Sequence, residues 1–145
     1  MRWFASVLVL FACSKPPPPK PPVVEKPVSS LADVAGKWVT FDDMDWGYTM
    51  TIEPSGVIDV WIDRGKIGRC EQKGKIGWGG KPGLLRVVYL KGECNPQAVG
   101  IAFDMTVSSF TGDSLTIVVA DQSRTYQRAP ETPTGGEKAP PVQLR

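Results

Sequence analysis

The residues able to do chemistry in this chain are mainly carboxylates and three cysteines, because its 145 residues include no histidine. Histidine is the commonest general base at neutral pH and the commonest metal ligand. Without it we find no nucleophile paired with a base, and the thiols alone offer too few ligands for a metal. We therefore expect neither an enzyme nor a bound metal or other cofactor.

The densest group of carboxylates lies in the segment FDDMDWG, which contains Asp42, Asp43 and Asp45. The spacing Asp-x-Asp-x-Gly is that of the first positions of a calcium-binding loop. The segment lacks the glutamate that such a loop places further along, and it lacks a flanking helix. We therefore expect a solvated acidic loop rather than a cation site.

Cys13 ends an apolar run at the N-terminus, MRWFASVLVLFAC. Arg2 precedes this run, and a positive residue followed by a short apolar segment is the order of an export signal. The run is far too short to span a bilayer as a helix. Residues 1–12 are therefore predicted to be a signal peptide.

The residues LFAC at the end of this run resemble the lipobox of bacterial lipoproteins. In that family the cysteine receives diacylglycerol and becomes the mature N-terminus, and a residue such as Ser14 after it accompanies delivery to the outer membrane. The resemblance implies that Cys13 is lipidated and anchors the protein in the bacterial cell envelope. The alternative is an ordinary signal peptide that ends by chance at a cysteine.

Proline-rich segments flank the part of the chain that is patterned for folding. Residues 13–30 carry seven prolines, which favour an extended polyproline II path and predict a tether spanning roughly 50 Å. A polyproline ligand for another protein's aromatic groove is the alternative. Residues 129–145 have a similar composition, so both ends are predicted to be disordered and residues 31–128 to form one domain.

Alternation of apolar and polar residues recurs throughout that domain, and no long segment has helical periodicity. Three runs show it best, each with one apolar face: Trp46, Tyr48, Met50 and Ile52; Ile58, Val60 and Ile62; and Ile101, Phe103, Met105 and Val107. Short turns such as PSG and TGD separate such runs, which is typical of hairpins. With the remaining runs, the pattern predicts about eight strands in an antiparallel meander.

Eight alternating strands can close into an up-and-down barrel or fold into a two-layer β-sandwich, and we favour the barrel because closure removes exposed edges. Gly36-Lys37-Trp38, the hairpin TIEPSGVIDVWI and the closing SLTIVVADQSRTYQR resemble the lipocalin-like small domains of bacterial lipoproteins. In lipocalins the tryptophan of the first strand packs at the closed end against a basic residue of the last strand. The resemblance implies this role for Trp38, with Arg124 or Arg128 as its partner.

With Cys13 assigned to lipidation, Cys70 and Cys94 remain as an even pair in an exported, oxidising compartment. A disulfide between them is predicted. It closes a loop of about 25 residues and should stabilise the fold by roughly 3 to 4 kcal/mol. A redox-active pair is not favoured, because the CxxC spacing is absent.

Charge is segregated along the domain although the formal net charge is only +2 and the pI is about 8.5, which is too low for a nucleic-acid binder. Residues 38–63 carry six carboxylates and no basic residue until Arg64, whereas residues 64–91 carry eight basic residues and one carboxylate. Neighbouring strands in a barrel would neutralise these halves. Otherwise the basic span would suit anionic glycans or lipid headgroups.

Exposed aromatic and basic side chains are the expected contacts with a ligand or partner. Our candidates are Trp61, Trp78, Lys73, Lys75 and Lys81. Two functions follow: a lipid-anchored module that binds a small apolar or amphipathic ligand, or an inhibitor-like lipoprotein with a packed core that contacts a protein or glycan.

Overall fold

The computed structural model describes residues 25–130 and shows one closed barrel of eight antiparallel strands. The strands are β1 (Gly36–Phe41), β2 (Gly47–Ile52), β3 (Val57–Asp63), β4 (Arg69–Trp78), β5 (Leu84–Gly92), β6 (Ala102–Phe110), β7 (Ser114–Val119) and β8 (Gln122–Arg128). A single turn of helix, α1 (Leu31–Val34), precedes β1. The predicted all-β meander is confirmed, and the barrel rather than the sandwich is the observed architecture.

Each strand pairs with the next along the chain, and β1 closes the barrel against β8. The closing pair is short, since only Trp38 with Arg128 and Val39 with Gln127 are in register. Side chains from every strand meet in one interior core, as the period-2 patterning requires. Its fully buried members include Trp38, Met50, Ile52, Ile58, Leu85 and Leu115.

The two ends of the barrel differ. At the end we call closed lie α1, the start of β1 and the turns that join β2 to β3, β4 to β5 and β6 to β7. At the other end, which we call open, lie the loops that join β1 to β2, β3 to β4 and β5 to β6, and the turn between β7 and β8.

The N-terminal boundary of the domain differs from the prediction, which assigned residues up to 30 to the tether. The Lys26 N–H donates to the Phe110 carbonyl oxygen at 2.7 Å, and the Val28 carbonyl oxygen accepts from the Gly83 N–H at 3.1 Å. Val28 is buried with only 6% of its surface exposed. The last tether residues therefore belong to the folded domain, because they satisfy backbone groups at the ends of strands.

The other predicted terminal features lie outside the residues that the structure describes. The signal peptide at 1–12, the lipidation site Cys13, the proline-rich residues up to 24 and the tail from 131 to 145 all lie beyond residues 25–130. At the C-terminal side, the Ala129 N–H still donates to the Lys37 carbonyl oxygen at 2.8 Å. Within the described residues, no helix is long and apolar enough to cross a membrane.

The predicted disulfide between Cys70 and Cys94 is confirmed. Cys70 is buried in β4, one residue from its start, and Cys94 lies in the loop after β5. The two Cα atoms are 5.1 Å apart, which is within the usual range for a disulfide. The bond therefore fixes the longest loop of the open end to the barrel wall.

Two details of the strands depart from simple alternation. Ile101, predicted to lie in the apolar row of β6, precedes that strand and is 59% exposed. The register of β4 against β5 shifts between Lys73 and Gly74, where a bulge brings the strands close together. A Cβ atom at Gly74 would overlap the Val88 carbonyl oxygen, so only glycine fits there.

Candidate functional site

The closed end is sealed around Trp38, which is fully buried. Its indole Nε1 donates to the Val34 carbonyl oxygen of α1 at 2.9 Å, so the helix turn is fixed across the end of the barrel. Phe110 packs edge-on against the indole with ring centroids 6.2 Å apart. The interior of the barrel is therefore filled by side chains at this end.

Of the two basic residues considered as partners of Trp38, the structure places Arg128 there. Its guanidinium lies 4.3 Å from the centroid of the indole. It also donates to the carbonyl oxygens of Gly112 at 2.6 Å and Ala35 at 3.1 Å. Gly36 has a φ of +135°, and a Cβ there would collide with Arg128, which explains why a glycine stands two residues before the tryptophan.

Arg124 lies elsewhere, toward the open end. It is four residues before Arg128 on β8 and on the same inward face, and its guanidinium lies 3.7 Å from the centroid of the Tyr48 ring. The pairing of Trp38 with Arg124 is therefore not the one observed. Strand direction explains the difference, because β8 runs from the open end to the closed end and four residues span about 13 Å.

Burial of the inward side chains decreases along the strands toward the open end. On β7 the exposed fraction is 0% at Leu115 and 5% at Ile117, and Val119 is only partly buried. Ile58, Val60 and Ile62 on β3 follow the same order. The interior is thus filled at the closed end and becomes accessible at the open end.

A recess of about 490 Å³ lies on the inward face of β7 and β8 at the open end. We call it the recess; it is lined by Ile117, Val119, Gln122, Ser123, Arg124 and Tyr126. Its volume falls within the range of roughly 300 to 1,000 Å³ typical of small-ligand sites. Tyr126 is buried, and burial raises the pKa of its hydroxyl. The charge of Arg124 lowers this pKa, but the effect of burial is larger, so the hydroxyl is neutral at physiological pH.

Tyr48 links Arg124 to the acidic loop. Its hydroxyl donates to Asp42 Oδ2 at 2.9 Å, while Asp42 Oδ1 accepts from the backbone N–H groups of Met44 and Trp46. Burial opposes ionisation of Asp42, but these hydrogen bonds and the charge of Arg124 outweigh it and hold the pKa below its ordinary value. Asp42 therefore shapes the loop and positions Tyr48 beneath Arg124.

The three carboxylates of the acidic loop are not grouped around a common point. Asp42 uses its oxygens for the contacts just described, and Asp43 and Asp45 are exposed. Across residues 25–130, no group of three or more cysteine, aspartate or glutamate side chains could hold a metal ion.

The predicted contact residues do not form one site, because Trp61, Lys73 and Lys75 share the outer face of β3 and β4, whereas Trp78 and Lys81 lie at the closed end. Trp61 is 41% exposed on the outer face of β3, where it borders a groove of about 420 Å³ with Phe41. Trp78 ends β4 at the closed end, about 23 Å along that strand from the partner of Trp61. Lys75 lies on the outer face of β4, and Lys81 lies in the turn that follows.

Four residues of the basic span are neutralised by neighbouring carboxylates. Glu71 is almost fully buried between Lys73 at 2.7 Å and Lys91 at 3.1 Å, and the hydrogen bond from Lys73 holds its pKa below the ordinary value despite burial. Arg69 pairs with Asp63 and Arg86 with Asp104, each at 3.0 Å. Lys73 is therefore part of an ion-pair cluster rather than a free contact.

The sequence analysis does not predict the recess as a site, nor the roles of its residues Ile117, Val119 and Tyr126 or of the neighbouring Tyr48. A signal for part of it exists in RTYQR, where Arg124, Tyr126 and Arg128 alternate and must therefore share one face of a strand. Alternation alone does not reveal which of the two arginines lies at the closed end.

Together, fold and site define an eight-stranded barrel with one sealed end and one accessible end. The guanidinium of Arg124 lies on the inward face near the accessible end. No protein-family model, curated protein or solved structure matches this chain.

Proposed function

We propose that this protein is a bacterial lipoprotein, anchored in the cell envelope through Cys13, whose barrel binds a small apolar or amphipathic ligand at its open end. The observation that carries the binding proposal is the decrease in burial toward that end, which leaves a recess of about 490 Å³ with Ile117 and Val119 in its wall. Covering these two side chains with an apolar part of a ligand is favoured, because their contact with water is unfavourable.

The binding proposal is tested with N-phenyl-1-naphthylamine, an uncharged apolar probe that fluoresces on leaving water. The full chain carrying Cys13→Ser, which cannot be acylated at that position, should bind the probe saturably at one site. Val119→Asp places a charge on the wall of the recess and should weaken binding by about tenfold or more, since desolvating a carboxylate is costly.

Val57→Asp is the matched control, because Val57 is 39% exposed outside the recess, at the start of β3. It should leave the affinity for the probe unchanged. Absence of saturable binding to the parent chain, or equal loss in both variants, would contradict a ligand site in the recess.

The anchoring proposal rests on the lipobox-like LFAC and on the proline-rich residues after it. Cys13→Ala should abolish incorporation of labelled fatty acid and move the protein from the membrane fraction to the soluble fraction of the envelope. Cys70→Ala is the control, since it removes another cysteine but should leave labelling intact. Labelling that persists in Cys13→Ala would contradict the proposal.

The second candidate is a lipoprotein that contacts a protein or glycan through its outer surface. The groove between Phe41 and Trp61 favours it, because both side chains are exposed and Lys37, Asp63 and Arg69 supply hydrogen-bonding groups around them. Exposed aromatic side chains are frequent anchors at such surfaces. A barrel that binds no probe would make this groove the site to examine.

A further inference from the structure

We infer that the ligand of the recess is an amphipathic anion, in which an apolar body occupies the recess and a carboxylate, sulfonate or phosphate contacts Arg124. This inference rests on the proposed binding function and names the chemical class of the ligand. It depends on three features of the open end, which concern the charge of Arg124, the surroundings of its guanidinium and the walls of the recess.

The first feature is that, among residues 25–130, Arg124 is the only charged side chain that lines the recess. Its five neighbours in the lining are two aliphatic residues, a tyrosine, a glutamine and a serine. A guanidinium stays protonated at all physiological pH values and presents its N–H groups in a planar fork that suits an oxyanion. The recess therefore has a positive charge and no opposing negative charge on its lining.

The second feature is that the guanidinium has no carboxylate partner. Within residues 25–130, no salt bridge of 4.0 Å or shorter includes Arg124, whereas Arg69 and Arg86 each have one. The charge of Asp42 interacts with that of Arg124, but the oxygens of Asp42 accept hydrogen bonds from Tyr48, Met44 and Trp46. The guanidinium instead lies over the Tyr48 ring, 3.7 Å from its centroid, so an aromatic face rather than a carboxylate supports the charge.

The third feature is that apolar surface lies directly beside this charge. Ile117 faces Arg124 across the β7 and β8 pair, and Val119 is the next inward residue of β7. A ligand that combines an anion with an apolar body satisfies both kinds of surface at once. A neutral apolar ligand would remove water from the guanidinium without supplying a hydrogen-bond acceptor in its place, which is unfavourable.

The test uses two probes that share one aromatic skeleton and differ by one sulfonate: 1-anilinonaphthalene-8-sulfonate and uncharged N-phenyl-1-naphthylamine. With the Cys13→Ser full chain, the sulfonate should bind about tenfold or more tightly, as expected for a charge-assisted hydrogen bond in a partly desolvated site. Sodium dodecanoate should displace it. Arg124→Met should bring the two affinities within about threefold, and Arg124→Lys should keep part of the preference.

Arg86→Met is the matched control, because Arg86 lies on the outer surface with 66% of its side chain exposed. It should retain the full preference for the sulfonate. Urea unfolding of each variant verifies that the barrel remains folded. If both probes bind with equal affinity to the parent chain, or if Arg124→Met retains the preference, the anionic class is wrong and the binding function stands. If neither probe binds, the binding function itself is wrong.

Discussion

Trp38→Ala is expected to lower the free energy of unfolding by about 3 to 5 kcal/mol, the range for truncating a large buried aromatic side chain. Trp38 is fully buried, and its loss would also remove the hydrogen bond to Val34, the edge-on contact with Phe110 and the aromatic face beneath Arg128. Urea unfolding monitored by circular dichroism measures the effect as a shift of the midpoint.

Trp61→Ala is the matched control, since it makes the same truncation at a side chain that is 41% exposed. It should change the free energy of unfolding by less than about 0.5 kcal/mol, as is usual for surface positions. Equal midpoints for the two variants would contradict the assignment of Trp38 as the centre of the closed end.

Arg128→Met should lower the free energy of unfolding by less than Trp38→Ala, because the cation–π contact contributes about 0.5 to 2 kcal/mol.

Removing the disulfide with Cys70→Ala and Cys94→Ala together is expected to destabilise the fold by about 3 to 4 kcal/mol. The two cysteines are separated by 24 residues, so the bond restricts a loop of moderate length in the unfolded chain. The same urea experiment measures the loss.

Reductant provides the internal control for this prediction. It should lower the unfolding midpoint of the parent chain toward that of the double variant and leave the double variant unchanged. A parent midpoint that reductant does not alter would show that the disulfide contributes little to stability.

The fold could be predicted from the sequence because side-chain orientation in a strand has a period of exactly two residues. Met50 and Ile52, or Leu115 and Ile117, must share a face wherever they lie, and tight turns between such runs leave few arrangements other than a meander. The disulfide between Cys70 and Cys94 could be predicted because only these two cysteines remain once Cys13 is assigned to lipidation in an oxidising compartment.

Predicting the recess and the ion pairs would have required the register between neighbouring strands, which the alternation of apolar and polar residues does not provide. Arg124 and Arg128 are equivalent in the sequence pattern, and only the direction of β8 against β1 places one on Trp38 and the other on Tyr48. Glu71 and Lys91 meet because β4 and β5 shift their pairing at Gly74. The proline-rich sequence around Val28 predicts that it belongs to the tether. Its burial depends on strands that are distant in the sequence, so the local composition does not reveal it.

The chain enters and leaves the barrel on the same side. Lys26 is hydrogen-bonded to the end of β6 and Ala129 to the start of β1, and both positions are at the closed end. If Cys13 is anchored as proposed, residues 14–24 span at most about 34 Å between lipid and domain. The sealed end is then the end joined to the anchor, and the recess lies at the opposite end of the barrel. Such an arrangement favours capture of a ligand already in transit through the aqueous compartment over its extraction from the protein's own membrane.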